Sequence, residues 1–271
     1  MHIYGIDFTS APRPGKPITF ASAELENRHL SIQTVSVWSD PEFKAFREFL
    51  ETPGPWVAGL DFPFGQPRQL AATLGIATLD WSNYVRYLTD LPPDGFKDLL
   101  RSHRCTPPCG KKRHQRKTDH RAMNTVNPPV AMMFHHGARC LLDSGVNILP
   151  CCPRQDQRIA IEAYPKLVAK FILGRRPYKD GNVSQREDRS KARWEIIKNL
   201  QAARFREWYG FDVTLSDSEI AERTVIDWQG DLLDALLCAV QAAWAHSVLH
   251  DGSAPSLECD ALEGWIADPA S

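Results

Sequence analysis

Five carboxylates stand at the ends of apolar elements, and the patterning would bring three or four of them to one place. Asp7 and Asp61 each end a short apolar run that carries a glycine two residues earlier, Tyr4-Gly5-Ile6-Asp7 and Ala58-Gly59-Leu60-Asp61. Such runs read as buried strands, and ligands of open α/β sheets gather at the C-terminal strand ends. An ionised carboxylate there is costly unless it is hydrogen-bonded or bound to a cation, so two placed alike suggest a shared purpose. The simpler alternative is that each aspartate caps the turn that follows it. Glu162 ends a third apolar run, Ile159-Ala160-Ile161-Glu162, and is either a further acid on the same rim or a glutamate facing solvent.

Asp231 and Asp234 open the last strong helical pattern, three residues apart and therefore on one face, about 5 to 6 Å from each other. With Cys238 and Gln241 they form the non-hydrophobic stripe of a helix that is otherwise apolar around its circumference. That pattern aims the carboxylates into one polar place within a dry environment. Asp231 also suits an N-cap. Asp234, among Leu232, Leu233, Leu236 and Leu237, is harder to explain by the helix dipole, worth at most about 1 kcal/mol.

Carboxylates that converge in this way repel one another, and a divalent cation is the usual neutraliser. Oxygen-only ligation suits Mg²⁺ or Mn²⁺ rather than zinc. Such ions could activate water and stabilise the leaving oxygen in a phosphodiester displacement, two of them lying roughly 4 Å apart in two-metal sites. The acids assigned to metal are Asp7, Asp61, Asp231 and Asp234, with Glu162 added as a catalytic candidate.

The elements that must position these acids are legible in outline. Strands are expected at 2–8, 18–25 and 30–37, with Pro12, Pro14, Gly15 and Pro17 breaking the chain between the first two and Glu26-Asn27-Arg28 turning before the third. The third strand alternates apolar and polar residues and is expected at a sheet edge. Ser39 or Asp40 should cap a helix beginning at Pro41 and carrying Phe43, Phe46, Phe49 and Leu50. Strands at 56–62 and 158–164 follow, separated by a mainly helical insertion from 66 to 150. The signature Ser184-Gln185-Arg186-Glu187 reads as a capping box opening one long helix, with Trp194, Ile197, Leu200, Phe205 and Trp208 on one side and Gly210 closing it.

Order and motifs together resemble a known family. The phrases Gly5-Ile6-Asp7-Phe8-Thr9, Gly59-Leu60-Asp61-Phe62-Pro63-Phe64-Gly65, Ile161-Glu162-Ala163-Tyr164-Pro165 and Asp231-Leu232-Leu233-Asp234-Ala235-Leu236 are similar to those of the proteins called domain of unknown function 429, predicted nucleases of the ribonuclease H superfamily. The resemblance implies an α/β ribonuclease-H-like fold, a five-stranded mixed sheet flanked by helices in a single domain over 1–271. Holliday-junction resolvases of that superfamily bind metal through a first-strand Asp, a fourth-strand acid and an Asp-x-x-Asp pair on the final helix. That likeness assigns Asp7 and Asp61 as strand ligands and Asp231 and Asp234 as the helix pair. Position 61 is Asp where the resolvase pattern has Glu, a shorter reach that weakens the case for a second metal.

Composition sets limits. The 271 residues carry a formal net charge of -1, so a nucleic-acid surface must come from local clustering rather than from the whole molecule. Lys111, Lys112, Arg113, Arg116 and Lys117 form such a cluster, suited to tracking phosphates of DNA or RNA or else to a solvated loop. Phe134 and Tyr178 are candidates for base stacking. His103, Cys105, Cys109 and His114 are close enough in sequence for zinc but lack a standard knuckle spacing, and thiols without a role explain them as well. Seven cysteines, an odd count, and the absence of a leader pattern lead to the expectation of a reducing, cytoplasmic setting. Two rival functions remain. Thr9 and Ser10 after Asp7 resemble the first phosphate loop of actin-like kinases and ATPases, which would make the chain a nucleotide phosphotransferase or ATPase. A non-catalytic nucleic-acid-binding module would leave the acids no reason to converge.

Overall fold

The computed structural model describes residues 1–102, 125, 129–250 and 260–269. Its centre is a seven-stranded mixed sheet in the order β5-β6-β4-β1-β2-β3-β7. The strands are β1 (His2–Asp7), β2 (Ile18–Glu26), β3 (His29–Trp38), β4 (Trp56–Leu60), β5 (Asn147–Leu149), β6 (Arg158–Glu162) and β7 (Asp212–Leu215). β1 runs antiparallel to β2 and parallel to β4, β2 is antiparallel to β3, and the β4–β6, β5–β6 and β3–β7 pairs are parallel.

Two strands exceed the expected five. β5 has three residues and β7 four, too short for alternation to show in sequence, and each is added at an edge. β7 pairs with His29–Ile32, so β3 is covered over that stretch rather than being the outermost strand. Without those two additions the order is third, second, first, fourth and fifth of the strands read from sequence.

Helices cover both faces. On one lie α1 (Lys44–Glu51), α3 (Trp81–Thr89), α4 (Pro93–Ser102) and α5 (Val130–Ser144), whose apolar residues join Ile6, Phe8, Trp56, Ala58 and Leu60 in one core; α2 (Arg68–Thr73) adds Ala71. On the other lie α6 (Pro165–Leu173), α7 (Arg186–Leu200), α8 (Ala203–Tyr209), α9 (Ser218–Ile226) and α10 (Asp231–His250), packed with Ile3, Val57 and Ile161. Strand alternation therefore sends Tyr4, Ile6 and Phe8 one way and Ile3, Gly5 and Asp7 the other. By the same alternation Asp61 follows Val57 and Gly59 toward α10, whereas Glu162 follows Ala160 to the opposite face.

Several local readings shift. Asp40 does cap α1, its carboxylate accepting the Lys44 and Ala45 N–H groups, but Pro41 and Glu42 lie in the turn before it and Phe43 is left-handed at φ 58°. The predicted long helix is two, α7 and α8, interrupted at Gln201 and Ala202. Its capping box sits two residues earlier than expected, between Asn182 and Gln185 on a single 3₁₀ turn. Ile197, Leu200 and Phe205 are buried, while Trp194 and Trp208 are exposed.

α10 is the core helix. By length and composition it could cross a membrane, but it is largely buried against β1, β2 and β4. It comes this close because Gly5 and Gly59 carry no side chain. A Cβ on Gly5 would lie 2.0 Å from the Ala235 carbonyl oxygen and 2.2 Å from the Ala239 nitrogen, and one on Gly59 would lie 2.4 Å from the Cys238 oxygen. Gly5 and Gly59 are direct partners across the β1–β4 pair, so the helix backbone lies along a trough cut through two adjacent strands. The glycine two residues before each aspartate is thus what lets Asp234 reach Asp7 and Asp61.

Candidate metal centre

Asp7, Asp61 and Asp234 meet. One carboxylate oxygen from each lies within 4.8 Å of the others, at the point where β1 and β4 end and α10 begins. Asp7 is buried, Asp234 has no exposed surface and Asp61 is partly exposed, so the cluster opens to solvent on the Asp61 side. Three carboxylate oxygens this close, with no nitrogen or sulfur donor among them, make the all-oxygen donor set that a hard divalent cation takes. The donor set therefore fits Mg²⁺ or Mn²⁺.

Asp231 is buried beside Asp7 but lies outside that group of three. Its carboxylate accepts a hydrogen bond from the Lys16 ammonium at 2.6 Å, and its backbone carbonyl accepts one from the Thr19 hydroxyl at 2.6 Å. Its side chain makes no capping bond: the Leu232 N–H goes to the Asp227 carboxylate at 2.9 Å. The Asp234 carboxylate receives the Tyr178 hydroxyl at 2.5 Å on Oδ1 and the Lys179 ammonium on Oδ2.

Electrostatics follow from this crowding. Burial and then the neighbouring Asp231 hold the Asp7 carboxyl well above the usual carboxylate range, with Asp234 and Asp61 adding to the effect and Lys179 opposing it. Burial also raises Asp234, against the pull of Lys179 and Tyr178. For Lys179 burial acts downward, yet Asp234, Tyr178 and Asp7 carry its ammonium well above the ordinary lysine value. The Cys238 thiol, one turn along α10, is held protonated by burial and by Asp61, Asp7 and Asp234. A group of acids that strains toward protonation is one that a divalent cation would relieve.

Glu162 is not part of the cluster. It is buried on the other face, where its carboxylate accepts the Phe64 N–H at 2.9 Å and so holds the backbone that follows Asp61. Asp61 and Glu162 do share the walls of one small open cleft, with Phe62, Met133 and Tyr164 among its other sides. The polar stripe of α10 also divides. Gln241 bonds to the Tyr164 backbone and to Asp268 at 2.7 Å, tying the helix to α6 rather than joining the acids.

Phe134 and Tyr178 do not offer rings to solvent: Phe134 packs against Tyr84 and Phe96 in the core, and Tyr178 is buried with its hydroxyl on Asp234. The basic residues Lys111, Lys112, Arg113, Arg116 and Lys117, and the candidates His103, Cys105, Cys109 and His114, lie outside the described residues.

Lys16, Thr19, Tyr178 and Lys179 were not singled out as neighbours of the acids from the sequence. Lys16 sits in the proline-rich β1–β2 connection, where Arg13 and Lys16 exchange backbone hydrogen bonds and turn the chain back over the cluster. Tyr178 and Lys179 sit in a Pro177-to-Gly181 turn, a punctuation signal that says nothing about which helix end it will meet. That turn is fastened by Arg193, which donates to the Tyr178 carbonyl at 2.7 Å and to the Val225 carbonyl.

A model of the family described as Protein of unknown function (DUF429) matches residues 5–258, and the chain belongs to that family. Neither a curated protein nor a solved structure matches it.

Proposed function

We propose that this member of the DUF429 family is a metal-dependent nuclease on a ribonuclease-H-like fold, hydrolysing phosphodiester bonds in DNA or RNA at a Mg²⁺ or Mn²⁺ held by Asp7, Asp61 and Asp234. The observation that carries the reading is the convergence of three carboxylate oxygens, from two strands and a helix far apart in sequence, within 4.8 Å of one another. The third-second-first-fourth-fifth strand order supports the fold assignment. A binding module without chemistry has no need to bury such acids together, given what desolvation costs them.

When bound, a divalent cation supplies Lewis acidity to the phosphodiester and to the attacking water. The chain's own residues set the frame for this. Asp7, the most central acid, and Asp234 are held rigidly by the β1–α10 contact, while Asp61 faces the open side. Asp231 fixes Lys16 beside Asp7, which puts positive charge where a scissile phosphate would approach. Glu162 acts at one remove, by holding the Phe62–Gly65 backbone in place. In this reading Lys111, Lys112, Arg113, Arg116 and Lys117 follow the phosphates of the strand, with salt-sensitive affinity.

A cleavage screen over single-stranded, duplex, hybrid and branched substrates, with Mg²⁺ and with Mn²⁺, tests the proposal. Wild-type protein should cut at least one class, and Asp7→Asn should cut none while melting at nearly the same temperature. Protein that cuts nothing with either metal, yet binds a nucleotide in a Mg²⁺-dependent way, would point to phosphotransfer instead.

A further inference from the structure

Counting charges at the cluster gives a different answer from counting acids. Asp7, Asp61, Asp231 and Asp234 bring four negative charges when ionised, and Lys16 and Lys179 bring two positive ones, each in contact with a carboxylate. Two negative charges remain, which one divalent ion neutralises and two would overshoot. Ligand supply agrees with this. A two-metal site sets its ions roughly 4 Å apart and needs carboxylate oxygens for both. Asp231 is committed to Lys16, and both oxygens of Asp234 already have donors, Tyr178 on one and Lys179 on the other.

Lys179 is also built into its position. Its backbone lies against the start of α10 so closely that a Cβ on Gly230 would come within 2.7 Å of the Lys179 Cβ. The fully buried Arg193 clamps the preceding carbonyl. The Lys179 side chain is a third exposed, so solvent reaches this flank of the cluster although Asp234 itself has no exposed surface.

From these contacts we infer that the centre takes a single divalent ion and that the Lys179 ammonium stands in for the second, meeting the phosphodiester from the Asp234 side. The inference rests on the metal-centre reading above and specifies its stoichiometry. Lysine is suited to the place because its ammonium is a compact charge that needs no ligands of its own. It neutralises charge on the phosphate oxygens as a second cation would, without a proton changing hands.

The test is a count of Mn²⁺ bound per chain, by equilibrium dialysis with detection of free Mn²⁺ by electron paramagnetic resonance, on wild type, Lys179→Met and Lys179→Arg. Wild type should bind one ion and Lys179→Arg one; Lys179→Met leaves three negative charges, more than one divalent ion neutralises, and frees an Asp234 oxygen, so it should bind a second ion. Cleavage by Lys179→Met should fall about 100-fold at fixed Mn²⁺, as for removal of one transition-state charge donor. Two ions on wild type would overturn the inference and leave the metal centre standing. No ion on wild type would overturn the metal centre itself. A Lys179→Met protein with one ion and full activity would overturn the role of Lys179, and the wild-type count stands even if that variant does not fold.

Discussion

Replacing Gly5 by alanine sets a methyl group against the backbone of α10. The added carbon would stand 2.0 Å from the Ala235 carbonyl oxygen, and raising that to the 3.4 Å of ordinary contact displaces the helix by about 1.4 Å. Neither wall can yield cheaply. Gly5 is in the central strand of the sheet, and the obstructing atoms are main chain. Overpacking of a core costs 1–3 kcal/mol, and backbone against backbone belongs at the upper end, which for a chain of this size lowers Tm by roughly 6–12 °C. The same displacement carries Asp234, the residue before Ala235, away from Asp7 and Asp61. Metal ligand distances tolerate about 0.2 Å, so Mn²⁺ affinity should fall at least about 10-fold. Differential scanning calorimetry and a Mn²⁺ titration on Gly5→Ala measure both effects. Gly95→Ala is the control, because a Cβ there meets nothing closer than 3.4 Å and its backbone is ordinary. If Gly5→Ala melts like wild type and binds Mn²⁺ as tightly, the trough does not position the site and the reasoning is wrong.

Other outcomes follow from the same geometry. Because Asp7 has a folded-state pKa above its unfolded value of about 3.9, the folded chain holds more protons than the unfolded chain between those two points, and stability is lost as pH rises through that window. The Tm of metal-free wild type should therefore fall relative to Asp7→Asn as pH rises toward neutrality; a difference independent of pH would show that Asp7 is not strained. The raised value of Lys179 acts only above the ordinary lysine range and leaves that window alone. His136, stacked on Phe43 at 5.3 Å, has its pKa lowered to about 4 by burial, with His135, Lys97 and Arg47 adding to it. Its sign is opposite: below about 6.5 the unfolded chain takes up a proton that the folded chain refuses, so stability is lost as pH falls toward 4. His136→Phe keeps the stack and should flatten the acid limb of the Tm profile between those values, and an unchanged limb would refute the assignment.

Most of what could be read from the sequence came from periodicity. The apolar runs ending in Asp7 and Asp61 and the all-round apolar α10 fixed the elements on which the acids ride, whereas the part played by Gly5 and Gly59 emerges only from the helix backbone that lies against them. The short strands β5 and β7 were not legible, because three or four residues cannot display an alternation. Glu162 shows the limit of the rim argument. It ends β6 as Asp7 ends β1, but it stands level with Ile6, and that one step of register turns its side chain to the opposite face. The two lysines were invisible for another reason. Lys16 and Lys179 sit in proline- and glycine-marked turns, and where a turn lands is decided by packing, here by Arg193 and by the missing side chain of Gly230.

Soaking crystals of the protein in Mn²⁺ and recording anomalous scattering bears most directly on the whole account. One anomalous peak within coordination distance of the Asp7, Asp61 and Asp234 carboxylates, absent from Asp7→Asn crystals, is the predicted result. Crystals that take up Mn²⁺ elsewhere, or in which Lys16 and Lys179 stay locked on the acids with no peak between them, would contradict it.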